Sequence, residues 1–517
     1  MAPSLLRFTK RAAVTACCLV GSLATVLTTA PATAAPQQSL TITVDPTQPG
    51  RVIPQDFVGL SFEVNQLHRT WTDPRRGNVA TLLRNLGVGN LRFSANQVDQ
   101  TAWMPDPSKP TPSWAVKGQR VVPDDLSRVG RLAAATGWSV DLGVNLGHFD
   151  PAAAADQSAA AAARIGPGLR SIQIGNEPNF FILSAADGSR RAYNPQWYVR
   201  DATTYRKAIR AAAPDVRIEG PDTVSAGIGV PPFDAAAWPV LAEQWLRAYV
   251  SAFGAQSRVL NQHYYPFVNV TRVGVPGSAA RAVGALPTVD RLLEPTTQAK
   301  QLTFLREFAT VARRAGLEPR LSETNSVAKE GREGVTNSFG AALWTVDYLL
   351  AAAREGVTGV NLHNQVDDCQ SYPVFCFPDP ASRTSDTARV NPNYYAALLV
   401  SQVAGGRVLP VTTSGKAHVT AYAVRMPSGQ IKVIVTNLHR RFRGPVTVRI
   451  KGADAGNASV QRLTGPSIYA VNGAKFAGST VSTDGLFRPG PGTPVSRSAR
   501  GYRVPVDGPS AALLTVG

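Results

Sequence analysis

The 517-residue sequence is poor in cysteine and methionine, with four Cys and three Met. Two of the Cys, Cys17 and Cys18, lie near the N-terminus. The other two, Cys369 and Cys376, have no His cluster beside them. Two Cys without a His cluster cannot complete the tetrahedron of a zinc site, so no metal site is expected there. No other cofactor is expected either. Beyond residue 35 no apolar run reaches the length of about 18 residues that a spanning helix needs. No Gly-rich loop follows the first strand-like segment, which argues against a dinucleotide-binding sheet. No basic run of about five residues occurs, which argues against a nucleic-acid partner. Acids are also scarce beside bases, 35 Asp and Glu against 53 Lys and Arg, for a net charge of +18. Such a balance suits an anionic partner, although an Arg- and Ala-rich composition accounts for it about as well.

What is present reads as globular. Apolar residues make up 44% and charged residues 17%, and the length allows two to four domains of about 100–200 residues. Arg7, Lys10 and Arg11 precede an uncharged, largely apolar stretch over 12–27, and Ala32-Thr-Ala34 follows. This is the pattern of a cleaved signal peptide over 1–35, so a secreted protein is expected. Cleavage removes Cys17 and Cys18. In an oxidising compartment Cys369 and Cys376 are then expected to pair as one disulfide.

Eight strand-like runs recur at 57–63, 90–96, 138–145, 171–177, 216–221, 259–265, 319–323 and 357–363. Helical stretches separate them. Phe339, Leu343, Val346, Leu350 and Ala353, for example, follow the spacing of one helix face. Eight alternations predict an α/β fold, a (β/α)8 TIM barrel over 55–404. After residue 405 the helical period vanishes. The segments 419–424 and 431–436, joined through Met426-Pro-Ser-Gly429, predict a hairpin. With 446–450, 459–463 and 512–516 they predict a C-terminal antiparallel β-sandwich over 405–517. A strand at 40–44, within 36–54, is expected to join it.

Barrel sites form at the C-terminal ends of the strands. Those ends carry Glu63, Asn96, Asn145, Asn176-Glu177, Tyr264-Tyr265, Glu323 and His363-Asn364. Amides and carboxylates without a Lys candidate or a Ser-His-Asp order point away from Schiff-base and acyl chemistry and towards a polyol ligand. Glu177 and Glu323 end the fourth and seventh strands. Glycoside hydrolysis needs two such carboxylates, which only a barrel brings together here. Taken alone, each Glu is more ordinarily a salt-bridge or capping group. Glu63 is a candidate for sugar hydroxyls, with a buried ion pair as the plainer reading. Trp71, Trp103 and Trp114 lie in loops where aromatics either stack on sugars or pack the loop. His68 and His148 are isolated and read as loop or core residues.

The stretches 57–63, Ile174-Gly-Asn-Glu-Pro178, His263-Tyr-Tyr265, Ser322-Glu-Thr-Asn-Ser326 and 334–344 together resemble glycoside hydrolase family 79. This is the β-glucuronidase and heparanase-like group of the clan A retaining glycosidases. The resemblance covers the barrel. It implies Glu177 as acid/base, Glu323 as nucleophile, Asn176 as a ligand of the sugar 2-hydroxyl, and Tyr264 or Tyr265 as the residue that orients Glu323. It makes Gly331 and Gly334 candidate backbone donors to a uronate carboxylate. The sequence departs from the family in reading Val327-Ala-Lys-Glu330 where relatives place a Tyr, so Lys329, Arg332 or Tyr372 would have to compensate. Asn96 is a further candidate sugar contact. The expected partner is a uronate-containing carbohydrate and the expected state a monomer. Another clan member, such as an arabinofuranosidase, xylosidase or glucosidase, and a non-catalytic glycan-binding barrel are the alternatives.

Overall fold

The computed structural model describes residues 40–184, 190–226, 238–273, 286–415, 417–452 and 456–517. The leader expected over 1–35 lies outside them. Among the described residues no helix is long and apolar enough to cross a membrane.

Eight parallel strands close into a barrel in chain order. They are Val58–Glu63, Asn90–Ser94, Ser139–Val144, Leu169–Ile174, Ile218–Ala226, Val259–Tyr265, Glu318–Thr324 and Gly359–His363. Each predicted run supplies one strand, with ends shifted by a few residues. Alternation explains the layering. Leu60, Phe62, Leu91, Phe93, Leu142 and Ile174 enter the apolar core shared with the helices. The intervening Ser61, Arg92 and Gln173 meet inside the barrel, where Arg92 bonds the Ser61 Oγ at 3.1 Å and the Gln173 Oε1 at 2.7 Å. The barrel interior is thus a polar, hydrogen-bonded network rather than the usual stack of branched apolar residues.

Several helices begin with the same local chemistry. Pro123–Thr136, Pro151–Ile165 and Pro195–Ala212 each place Pro in the first turn, where its missing N–H costs nothing. Asp150 and Asn194 cap two of them by accepting from Ala153 and Trp197. The helix Phe339–Glu355 differs from its expected one-sided pattern, because residues 339–353 are all buried. The sandwich covers the side that water would otherwise reach. Phe339 and Gly340 donate backbone bonds to Ala470 and Ile468, and Tyr422 donates to Asp347 at 2.8 Å. A helix enclosed on all sides is apolar all round.

Two sheets follow the barrel. One orders Val411–Ser414, Leu40–Val44, Pro445–Ile450, Gly501–Pro505 and Arg497–Ser498. The other is built on Val419–Arg425, Ile431–Asn437, Ser510–Val516 and Ala458–Thr464. The N-terminal strand therefore sits inside the sandwich. Its pairing with Pro445–Ile450 is parallel, the one departure in that sheet from the expected antiparallel order.

Candidate active site

The fourth strand ends in a sharp turn. Gly175 (φ 74°) and Glu177 (φ 46°) are both left-handed, a conformation that costs a non-glycine residue about 1–3 kcal/mol. The turn breaks strand alternation, so the successive side chains of Asn176 and Glu177 both reach the site. Backbone bonds hold it: Glu177 N–H donates to the Asp222 carbonyl at 2.9 Å, and Asn176 N–H to Asp99 Oδ2 at 3.2 Å. Asp99 also accepts from Leu146 and Gly147 at 2.7 and 2.8 Å, tying the loop after strand three to the same turn. Burial pushes the Asp99 carboxyl up to about 6 against those three bonds.

Glu323 lies in the seventh strand and is buried. Arg92 donates to its Oε2 at 2.8 Å, Tyr265 to its Oε1 at 2.7 Å, and His363 Nδ1 is 3.7 Å away. Burial alone would raise this carboxyl. The charges of His363, His263 and Arg92, with the Tyr265 hydroxyl, outweigh it and hold Glu323 down at about 2. Its ionised form is the stable one, as a nucleophile requires.

His263 bridges the carboxylates. Its Nδ1 is 3.1 Å from Glu177 Oε1 and its Nε2 3.6 Å from Asp222 Oδ1. Burial pushes the ring down, but Glu323 and its partners Asp222 and Glu177 win and raise it to about 8. Glu177, His263 and Glu323 each bring an atom within 4.8 Å of the others. A cation could bridge such a set, but the Arg92 guanidinium already supplies positive charge at Glu323. Glu63, at the end of strand one, accepts from Gln97 N–H at 2.7 Å. Burial, with Glu323 and Glu177 nearby, pushes it up to about 8. A neutral Glu63 can donate a hydrogen bond as well as accept one.

The other expected residues divide. Asn176 accepts from Arg92 at 2.9 Å and donates to the exposed Asn96 at 3.2 Å. Tyr265 faces Glu323. Tyr264 does not: it turns outward and stacks on Phe304 at 4.3 Å, because neighbours on a strand point to opposite faces. Tyr372 packs edge-on against His363 at 4.9 Å, and its hydroxyl is bonded by the backbone of Gly331 and Glu330. Gly331 (φ 64°) passes so close to Ser371 that a Cβ would stand 2.3 Å from its carbonyl oxygen. Gly334 is no carboxylate donor here, since its N–H is taken by Asn337 Oδ1 at 2.7 Å. Lys329 is exposed, 5.6 Å from the Phe180 ring. The Cys369–Cys376 disulfide forms and closes the loop that carries Tyr372. Trp71 is core, against Phe62 and Phe93. Trp103 donates to Asp156 at 2.6 Å, Trp114 stacks on His148 at 4.1 Å, and His68 pairs with Asp125.

Sequence reasoning missed Arg92, His263, Asp222 and Asp99 as site residues. Arg92 carried a signal, a charge at the inward position of the strand Asn90-Leu-Arg-Phe-Ser94. His263 carried the same one.

No family model matches the chain. A β-glucuronidase of Aspergillus niger is 28% identical over 181 residues, 31% of this chain and 32% of that protein. A β-glucuronidase of Neurospora crassa is 51% identical over 41 residues, 8% of this chain and 7% of that one. The matches thus span at most about a third of these relatives' length. Among solved structures, a 4-O-α-L-rhamnosyl-β-D-glucuronidase from Fusarium oxysporum superposes with a TM-score of 0.70 at 20% identity, covering 92% of this chain and all of that one. A family 51 arabinofuranosidase from Xanthomonas axonopodis gives 0.60 at 14% identity, covering 93% of this chain and all of that one. The chain therefore has the barrel-and-sandwich fold found in glycosidases of more than one family, and over about a third of its length it is similar in sequence to a β-glucuronidase.

Proposed function

We propose that this protein is a retaining glycoside hydrolase acting on β-glucuronides or glucuronate-containing glycans. The observation that carries the reading is the meeting of Glu177 and Glu323, which bring one carboxylate oxygen each within 4.8 Å of the other. Retention through a covalent intermediate needs carboxyl groups about 5–5.5 Å apart, whereas inversion needs a wider gap to seat a water. The two β-glucuronidase relatives support the choice of sugar.

Glu323, ionised and oriented by Tyr265 and Arg92, attacks the anomeric carbon. Glu177 protonates the departing glycosidic oxygen, and the carbon–oxygen bond breaks as the glycosyl–Glu323 ester forms. Glu177, now ionised, takes a proton from water, which attacks the same carbon and releases Glu323. His263, held between Asp222 and Glu177, steadies the carboxyl that changes protonation state twice. Asn176, fixed by Arg92, offers its amide to the sugar 2-hydroxyl, a contact that strengthens as charge develops. Glu63 and Asn96 stand at the mouth for other hydroxyls.

Export is part of the same proposal. It is supported by the leader pattern of 1–35 and by the Cys369–Cys376 disulfide, a bond that persists in oxidising compartments. The test of specificity is turnover of aryl β-D-glucuronide, β-D-glucoside, β-D-xyloside and α-L-arabinofuranoside by the purified protein. Preference for the glucuronide supports the reading, and preference for any neutral sugar refutes the uronate assignment.

A further inference from the structure

Charge is divided unevenly along the chain. Residues 36–404 carry 35 Lys and Arg against 32 Asp and Glu, whereas residues 405–517 carry 15 against three, with no Glu. A drift of composition towards Arg would act on both segments alike. The contrast points to a selected property of the sandwich. Among the described residues, the salt bridges of this segment are Arg440–Asp290 and Lys451–Asp45, both with acids from outside it.

The layering places part of this excess on one face. The sheet containing Ile431–Asn437 is covered on both sides. Ile434 and Leu513 belong to the core shared with the barrel, while Val433 and Leu514 pack against the five-stranded sheet. The five-stranded sheet turns Ile42, Val448 and Val504 inward, which leaves its alternate residues on the solvent side. Register aligns Ser414, Thr41, Thr447 and Arg503 in one row across four strands, and Thr43 beside Arg449 in the next. Arg449 and Arg503 are exposed. The five strands contain no Asp or Glu. Adjacent strands lie about 4.8 Å apart, so hydroxyls and guanidinium groups repeat at roughly the length of a pyranose ring.

We propose that this outer face docks the anionic polysaccharide on which the barrel acts. The choice of a polysaccharide rests on the glucuronidase reading above, while the charge argument stands apart from it. Guanidinium groups pair with carboxylates through two parallel bonds, and Ser and Thr hydroxyls match sugar hydroxyls. A nucleic acid is served better by an unbroken cationic track with stacking aromatics, and a membrane by apolar side chains that insert. This face offers neither, and its hydroxyls outnumber its cations.

The test uses the full chain in a Glu323→Gln background, which prevents turnover during titration. Binding of hyaluronan, dextran, a DNA duplex and phosphatidylserine vesicles is measured at low and high salt, with and without Arg449→Ser/Arg503→Ser. Melting temperature and aryl glucuronide turnover of the same double variant are measured in the Glu323 protein. The expected result is salt-sensitive binding of hyaluronan over dextran, weakened by about fivefold or more in the double variant, with melting and aryl turnover unchanged. Hyaluronan binding that the double variant leaves intact overturns the proposal. So does tighter binding of DNA or vesicles with the same loss in the variant, which assigns the face to another polyanion. Variant-sensitive hyaluronan binding by a protein inactive on every aryl glycoside supports the docking face and contradicts the hydrolase reading alone.

Discussion

Arg92 and Glu323 form an ion pair at 2.8 Å in which neither side chain is more than 4% exposed. The same guanidinium holds Asn176 at 2.9 Å and Gln173 at 2.7 Å, so the carboxylate and the amide proposed to act on one sugar share one anchor. Removing one partner of a buried pair costs about 3–5 kcal/mol. Arg92→Met is therefore expected to lower the melting temperature and kcat together. It is also expected to move the acid limb of kcat/KM to higher pH, because Glu323 loses one of the cations that hold it at about 2. Arg92→Lys retains part of both. A pH profile of the Met variant superimposable on wild type contradicts this role.

The two tyrosines of the sixth strand give a paired test. Tyr265→Phe removes a hydrogen bond to a charged group, worth about 1.5–3 kcal/mol, and should lower kcat by about tenfold to a hundredfold. Tyr264→Phe leaves the stack on Phe304 in place and should leave kcat within about twofold. Equal losses in the two variants would reverse the assignment of which ring faces the site.

Stability should report the two shifted carboxyls with opposite signs. Glu323 is depressed, so its contribution is full above the ordinary carboxylate value and is lost as pH falls towards about 2. Glu63 is raised to about 8, so the folded state binds its proton where the unfolded chain has released it. Stability is then lost as pH rises from the ordinary value to about 8. Glu63→Gln is expected to melt above wild type near the upper end of this window, with the gap closing towards the ordinary carboxylate value. Thermal melts across that range decide it, and a gap independent of pH contradicts the shift.

Asp99 touches neither Glu177 nor Glu323. It acts through the backbone of Asn176 and the loop at Leu146–Gly147, and is a positioning residue for the turn that carries Glu177, the proposed acid/base. Asp99→Ala should therefore cost more on substrates with poor leaving groups, which need protonation, than on activated dinitrophenyl glycosides, and should change kcat more than KM. Asp99→Asn keeps one acceptor oxygen and should recover part of the loss. A loss uniform across leaving groups would indicate a purely structural role.

The barrel was legible because its strands announce themselves. They are short, largely apolar runs separated by helical stretches, and each lands within a few residues of its expected place. The meeting of Glu177 and Glu323 was legible because both stand at strand ends, which a closed barrel brings together. Arg92, His263 and Asp222 were not, since they become site residues only when strands two, five and six close across the interior. The parity of Tyr264 and Tyr265 was hidden for a related reason. Both are buried, one among helices and one inside the barrel, and burial reads the same from sequence on either face. The helix Phe339–Glu355 was placed correctly, but its second buried side was invisible, because the residues covering it, Tyr422, Ile468 and Ala470, lie far along the chain in the sandwich segment.

The proposed role of Glu323 as the nucleophile of a retaining mechanism is open to a direct test, trapping of the intermediate. The purified protein is incubated with 2-deoxy-2-fluoro-β-D-glucuronyl fluoride, weighed intact by mass spectrometry and mapped after digestion. One covalent glycosyl adduct is expected, on the peptide that contains Glu323 and on that residue. Absence of an adduct, or an adduct on Glu177 or Glu63, would contradict it.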